Sequence, residues 1–165
     1  MTTGRDYSRL LTVSFASPMP YEWSVGKYGS RFFEEIRRHQ RFIGIRCPSC
    51  RKVYMPPRRL CGPCFRELED LVPLPNEGTI MAFSIVNYPF LDPETGRQRP
   101  IPYTYGYIKI QGSDSIFSHI IDETDVEKIK VGMKVKAVFK RPEAMEGNIR
   151  DIEHFEIVRE GRHER

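Results

Sequence analysis

Four cysteines are the residues of this 165-residue chain whose type and spacing form a recognisable chemical unit. Cys47-Pro-Ser-Cys50 and Cys61-Gly-Pro-Cys64 are two CxxC pairs with ten residues between them, and the chain has no other cysteine. Two residues between thiolates turn both sulfurs toward one ion. Two such knuckles complete the tetrahedral all-sulfur shell that zinc accepts, with Zn–S near ~2.3 Å. A mononuclear iron centre uses the same four thiolates and stays open at this level. Structural disulfides belong to an oxidising compartment, and a redox CxxC is a single pair at a helix start in a larger α/β sheet, so both are weaker readings. Four protein ligands leave no open coordination position, which makes the expected ion structural.

That assignment removes every thiol from nucleophilic work. His39, His119, His154 and His163 fall in four different segments, with neither metal-binding nor triad spacing. No GxSxG, GxGxxG or P-loop pattern occurs. The expectation is a chain without catalysis of its own.

The knuckles must be held by two facing hairpins, with strands expected at residues 41–46 and 53–55. Ahead of them, Ser30 as N-cap, Glu34 and Glu35 early, and Arg37 and Arg38 late predict a helix over 31–40. Phe32, Phe33 and Ile36 form its apolar stripe, suited to a core or to a partner. Residues 1–28 read as an extended arm with Tyr7, Phe15, Tyr21, Trp23 and Tyr28, too aromatic for a solvated tail. After Pro73 and Pro75 the period becomes two. Strands are expected at 79–88, 103–111, 115–121, 133–140 and 149–158, with a tight turn at 112–114. A short helix over 125–130, ended by Gly132, is expected between the third and fourth of these strands. Five strands in that order suit an OB-fold barrel, and other small barrels stay open at this level. The chain therefore reads as mainly β: arm and docking helix in 1–40, a rubredoxin-like zinc ribbon in 41–72, and a five-stranded OB-fold with a C-terminal tail in 73–165.

Twenty-six basic and 22 acidic residues give a net charge of +4, and its location matters more than its size. Residues 41–70 hold 7 basic against 3 acidic side chains, while residues 71–140 hold 8 of each. The ribbon is thus the basic part, through Arg46, Arg51, Lys52, Arg58 and Arg59, a set that either meets phosphates or is a solvated face. A single-stranded nucleic-acid binder is the rival reading. It requires a basic groove with stacking aromatics, and the neutral barrel, despite Phe83, Tyr88, Tyr105 and Tyr107, argues against it. Apolar runs are far short of the roughly 20 residues a membrane span needs, and no secretory leader is legible, so a cytoplasmic location is expected.

The ordered set Tyr21-Glu22-Trp23-Ser24-Val25-Gly26, Phe32-Phe33-Glu34-Glu35, the two CxxC knuckles with Val53-Tyr54-Met55-Pro56-Pro57-Arg58 between them, and Lys130-Val131-Gly132-Met133 resembles the DUF35 family. Its members join a zinc ribbon to an OB-fold and accompany acyl-CoA enzymes, and the resemblance covers roughly residues 20 to 158. It implies a non-catalytic subunit with structural zinc that docks on a thiolase-like catalytic subunit or, as in other members, on a hydratase or condensing partner, forms a hetero-oligomer and helps hold a coenzyme A thioester. On this reading the ribbon's basic set meets the coenzyme A phosphates, and Tyr21, Trp23 and Tyr28 anchor the partner. The length and arm resemble the small subunits of benzoylsuccinyl-CoA thiolase in anaerobic toluene breakdown, with sterol side-chain and other β-oxidation thiolases as alternatives.

Overall fold

A computed structural model describes residues 24–89 and 97–159. The first element, α1 (Gly26–His39), starts a full turn earlier than residue 31. Ser30 therefore lies inside it, and the chain enters through Ser24, whose Oγ accepts from the Gly26 amide at 3.1 Å. Tertiary contact explains the earlier start: Tyr28, placed in the arm by its composition, is helical and donates its hydroxyl to the Leu68 carbonyl at 3.2 Å. The helix ends at Gln40 in the left-handed region, with its N–H on Ile36 O at 2.9 Å. Phe32 and Ile36 are buried, so the apolar stripe faces the core. The outer face is laced by ion pairs of Glu34 with Arg37 and Arg38.

Three strands form the ribbon sheet in the order β2-β1-β3: β1 (Phe42–Arg46), β2 (Val53–Tyr54) and β3 (Asp70–Leu74), all antiparallel. The first two match the expected hairpin. The third was not expected, because Pro73 and Pro75 read as a boundary. As an edge strand β3 accommodates Pro73 opposite Ile43, since a missing N–H is tolerated at a sheet edge.

The barrel follows with β4 (Glu77–Val86), β5 (Tyr103–Ile110), β6 (Phe117–Ile121), β7 (Lys134–Phe139) and β8 (Ile152–Ile157). It closes in the order β4-β5-β6-β8-β7, with β6 parallel to β8 and the remaining pairs antiparallel, the ladder of an OB-fold. Strand alternation is obeyed: Thr104, Gly106, Ile108 and Ile110 point inward while Tyr105, Tyr107 and Lys109 point outward. Gly106 is needed inside, because a Cβ there would collide with Ile121. The expected helix over 125–130 is a single turn. Asp125 accepts from the Glu127 amide at 3.0 Å and its carbonyl from Lys128 at 3.0 Å, local bonds that compete with helix propagation. Ile129 then enters the core, and Gly132 reverses the chain at φ 91°.

Ribbon and barrel share one hydrophobic core. Phe42 on β1 stacks on Phe32 and Phe155 at 6.2 Å each, and meets Phe117 at 5.8 Å and Phe139 at 5.6 Å. The turn after β5 adds polar ties: Asp114 accepts from the Val53 amide at 2.9 Å, and Ser115 Oγ from Met55 at 3.0 Å. Among the described residues no helix is long and apolar enough to cross a membrane.

Candidate metal centre

The two knuckles are built alike. After each CxxC the chain passes through a left-handed residue, Arg51 at φ 63° and Phe65 at φ 52°. Arg51 N donates to Cys47 O at 3.0 Å and Phe65 N to Cys61 O at 2.9 Å. Cys47 N bonds to Lys52 O at 2.8 Å and Cys61 N to Arg66 O at 2.9 Å. The β1–β2 hairpin carries the first knuckle, and a Leu60–Glu67 bridge closes the second. This repeated turn aims both pairs of sulfurs at one point.

All four sulfurs lie within 4.8 Å of one another, and Cys50 Sγ is 3.6 Å from Cys61 Sγ. Tetrahedral zinc at ~2.3 Å from each sulfur places them about 3.8 Å apart, so the cage has the right size for that ion. Cys47 and Cys61 are buried, Cys50 is exposed and Cys64 lies between. A small core of Ile45, Tyr54 and Leu68 surrounds them, with Tyr28 packed against it.

The electrostatics of the four-sulfur donor set also suit a cation. The Tyr54 hydroxyl, 3.2 Å from Cys61 Sγ, pulls that thiol down to about 6, helped by the Cys64 amide and opposed by burial. Hydrogen bonding with Cys50, then burial, pushes Cys64 up to about 12. Four crowded sulfurs cannot all ionise unless positive charge sits among them, and a dication supplies it. Zinc fits this cage as a structural ion held by Cys47, Cys50, Cys61 and Cys64.

Tyr54 is the residue whose role sequence reasoning missed. It stands in the Val53-to-Arg58 stretch, where both residues of β2 are buried, and no spacing in the sequence marks it as a partner of Cys61. Its ring carries the Arg58 guanidinium 3.6 Å above the centroid. The remaining ribbon cations are divided: Arg46 pairs with Asp70 at 3.6 Å, Arg59 with Glu67 at 2.6 Å, and Arg51 and Lys52 are exposed. None of them lines the concavities of about 760, 490 and 160 Å³ on the barrel. Tyr21, Trp23 and His163 lie outside the described residues.

His39, His119 and His154 do not come together as a metal or triad group. His39 ends α1, and His154 lies 3.8 Å from Asp122. His119 stacks on Phe117 at 6.0 Å and meets Phe155 edge-on at 5.9 Å, and burial lowers its pKa. Of the aromatics suited to base stacking, Phe83 packs against the core, while Tyr88, Tyr105 and Tyr107 are exposed.

Residues 35–69 match the model of the ChsH2 rubredoxin-like zinc ribbon domain, and residues 71–140 that of the ChsH2 C-terminal OB-fold domain. A DUF35 domain-containing scaffold protein of Methanocaldococcus jannaschii is 31% identical over 112 residues, 67% of this chain and 76% of that protein. Its counterpart from Methanothermobacter thermautotrophicus is 29% identical over 114 residues, 67% of this chain and 80% of that protein. Among solved structures, the Ltp2-ChsH2(DUF35) aldolase superposes with a TM-score of 0.56 at 18% identity, covering 75% of this chain and 92% of that one. A DUF35 protein of unknown function from Sulfolobus solfataricus gives 0.56 at 20% identity, covering 80% and 84%.

Proposed function

The chain belongs to the DUF35 family, and from that premise we propose that it is a non-catalytic scaffold subunit that docks on a thiolase-type acyl-CoA enzyme. It supports assembly of that enzyme and helps hold its coenzyme A thioester. The observation that carries this reading is the commitment of every cysteine sulfur to one closed cage in a relative of a scaffold protein. A thiolase needs a nucleophilic thiol and an acid/base group beside the acyl carbon, and the cage leaves this chain no such thiol. The aldolase whose name joins Ltp2 to ChsH2 supports pairing with a catalytic subunit. The thiolase type, and anaerobic toluene breakdown through benzoylsuccinyl-CoA as its setting, rest on the motif set and length.

On this reading Arg46, Arg51, Lys52, Arg58 and Arg59 are the candidates for the coenzyme A phosphates, and Tyr21, Trp23 and Tyr28 for the partner. Tyr28 faces the ribbon core, so it would act by fixing the end of the arm. Phe65, 81% exposed at a knuckle tip, is a further apolar contact.

Co-expression with a thiolase-type catalytic subunit is expected to yield a complex that survives gel filtration. A chain starting at Ser24 keeps all of α1 and is expected to bind at least roughly thirtyfold more weakly, the loss of one aromatic hot spot of ~2 kcal/mol. Unchanged affinity of that shortened chain would show that the arm is not the dock. The purified chain alone is expected to show no thiolytic or hydrolytic turnover of acyl-CoA. Turnover that persists after trace partner subunits are removed would overturn the non-catalytic assignment.

The rival is single-stranded nucleic-acid binding, favoured by Tyr105 and Tyr107 at 40% and 51% exposure on the outer face of β5. It is recognised by a protein that purifies without a partner and binds oligonucleotides with a steep salt dependence.

A further inference from the structure

The barrel holds a concavity of about 490 Å³, within the range of small-ligand sites. Its polar wall is Arg99 from the chain entering β5, Tyr105 on β5, Ser118 and His119 on β6, Lys140 just after β7, and Arg150 in the 3₁₀ turn before β8. Ile120, Ile149 and Ile152 supply apolar surface, and Glu153 is the lining carboxylate. Three cations from two connections of the barrel converge here.

The position has a meaning in this topology. OB barrels take oligonucleotides and sugars on the face of their second and third strands, between the first-to-second and fourth-to-fifth connections. Here those strands are β5 and β6, Arg99 lies on the first-to-second connection, and Lys140 and Arg150 lie on the fourth-to-fifth.

The wall is also held in place before any ligand arrives. The Lys140 backbone is pinned at both groups, its N–H on Asp151 O at 2.9 Å and its carbonyl on Gln40 Nε2 at 3.0 Å. The Lys140 ammonium stands 3.9 Å from Glu146 and 4.0 Å from Asp151, beyond hydrogen-bond distance, so it retains donors. The buried Asp151 carboxylate is occupied by the amides of Glu146, Gly147 and Asn148 at 2.9, 2.7 and 3.2 Å. Tyr105 donates its hydroxyl to Ser118 at 3.3 Å and offers its ring to the opening. His119 lines the concavity, and its Nδ1 is buried without a partner among the described residues.

We propose that this concavity binds a small phosphorylated ligand of mononucleotide size, its phosphate among Arg99, Lys140 and Arg150 and its ring against Tyr105. A free mononucleotide and the nucleotide end of coenzyme A share this chemistry. The site is separate from the ribbon arginines, and it does not depend on docking to a catalytic subunit.

Isothermal titration of the metal-loaded full-length chain with inorganic phosphate, AMP, coenzyme A and a short single-stranded oligonucleotide tests it. AMP is expected to bind, and Arg99→Gln, Lys140→Gln and Arg150→Gln are each expected to weaken it at least about tenfold, the loss of a charge-assisted contact. Arg38→Gln on the outer face of α1 is expected to leave AMP binding unchanged, while Arg58→Gln and Arg59→Gln report whether the ribbon takes the ligand instead. Tighter binding of coenzyme A than of AMP, lost in the same three variants, supports the site and names coenzyme A as the source; equal affinities support it with the mononucleotide as the source. Amide shifts at Tyr105 and Ser118 of the unmodified chain on adding AMP give a readout that needs no variant.

The proposal is overturned if AMP, phosphate and coenzyme A all fail to bind at millimolar concentration, or if the ribbon variants rather than the barrel variants abolish binding. An oligonucleotide that binds tightly while AMP does not overturns it in favour of an extended strand. Failure here is distinguishable from failure of the scaffold reading, which is read by co-purification.

Discussion

Replacing Cys61 with serine is expected to leave the protein without its metal and with its ribbon unfolded. Three roles meet at that residue: its sulfur belongs to the cage, its amide closes the second knuckle on Arg66 O at 2.9 Å, and its Sγ receives the Tyr54 hydroxyl at 3.2 Å. The apolar cluster around the cage is small, with Ile45, Tyr54 and Leu68 as its other buried members. So little area cannot replace an ion whose binding energy, on the order of 10 kcal/mol or more in small zinc domains, is folding energy. The barrel closes on itself and is expected to persist. Elemental analysis should find one metal per chain in the native protein and none in the variant, and amide exchange should show lost protection across residues 44–68 with β4 to β8 retained. Acidification should release the metal, because protons compete for the same sulfurs. A soluble, folded native protein that contains no metal would sink the assignment.

Phe42→Ala is expected to cost about 3–5 kcal/mol, the range for removing a buried phenyl ring from a core. Phe42 is fully buried and touches the rings of Phe32 on α1 and of Phe117, Phe139 and Phe155 in the barrel. Its removal opens a cavity at the point where helix, ribbon and barrel meet, and it withdraws a large part of a total stability of about 5–15 kcal/mol. The urea midpoint should fall with little change in the slope of the transition. Phe65→Ala, at an exposed knuckle tip, should shift stability by no more than about 0.5 kcal/mol. A Phe42→Ala cost below about 1 kcal/mol would mean that ribbon and barrel fold on separate cores.

The metal cage and the barrel strands were legible because their information is local. Two residues between cysteines determine where the sulfurs point within one turn of chain, and the alternation of Val135 and Ala137 with Lys134 and Lys136 determines which side of β7 faces inward. The same reasoning misplaced features whose stabilising partner is distant. Residues 70–74 look like a proline-marked boundary until β1 supplies the ladder that makes them an edge strand. The start of α1 depends on Tyr28 reaching Leu68, forty residues on, and the expected helix after β6 gives way to a turn closed by Asp125.

Tertiary structure alone decided the rest. Tyr54 meets Cys61 only once the two knuckles face each other, and Phe42 joins four other rings only once the ribbon lies on the barrel. Arg99, Lys140 and Arg150 become neighbours only when the barrel closes and brings the two loops of one face together. Spacing and periodicity act over a few residues, through backbone geometry each residue carries with it. Convergence of remote side chains follows from which strands pair across the closed sheet, and that is a property of the whole chain's packing.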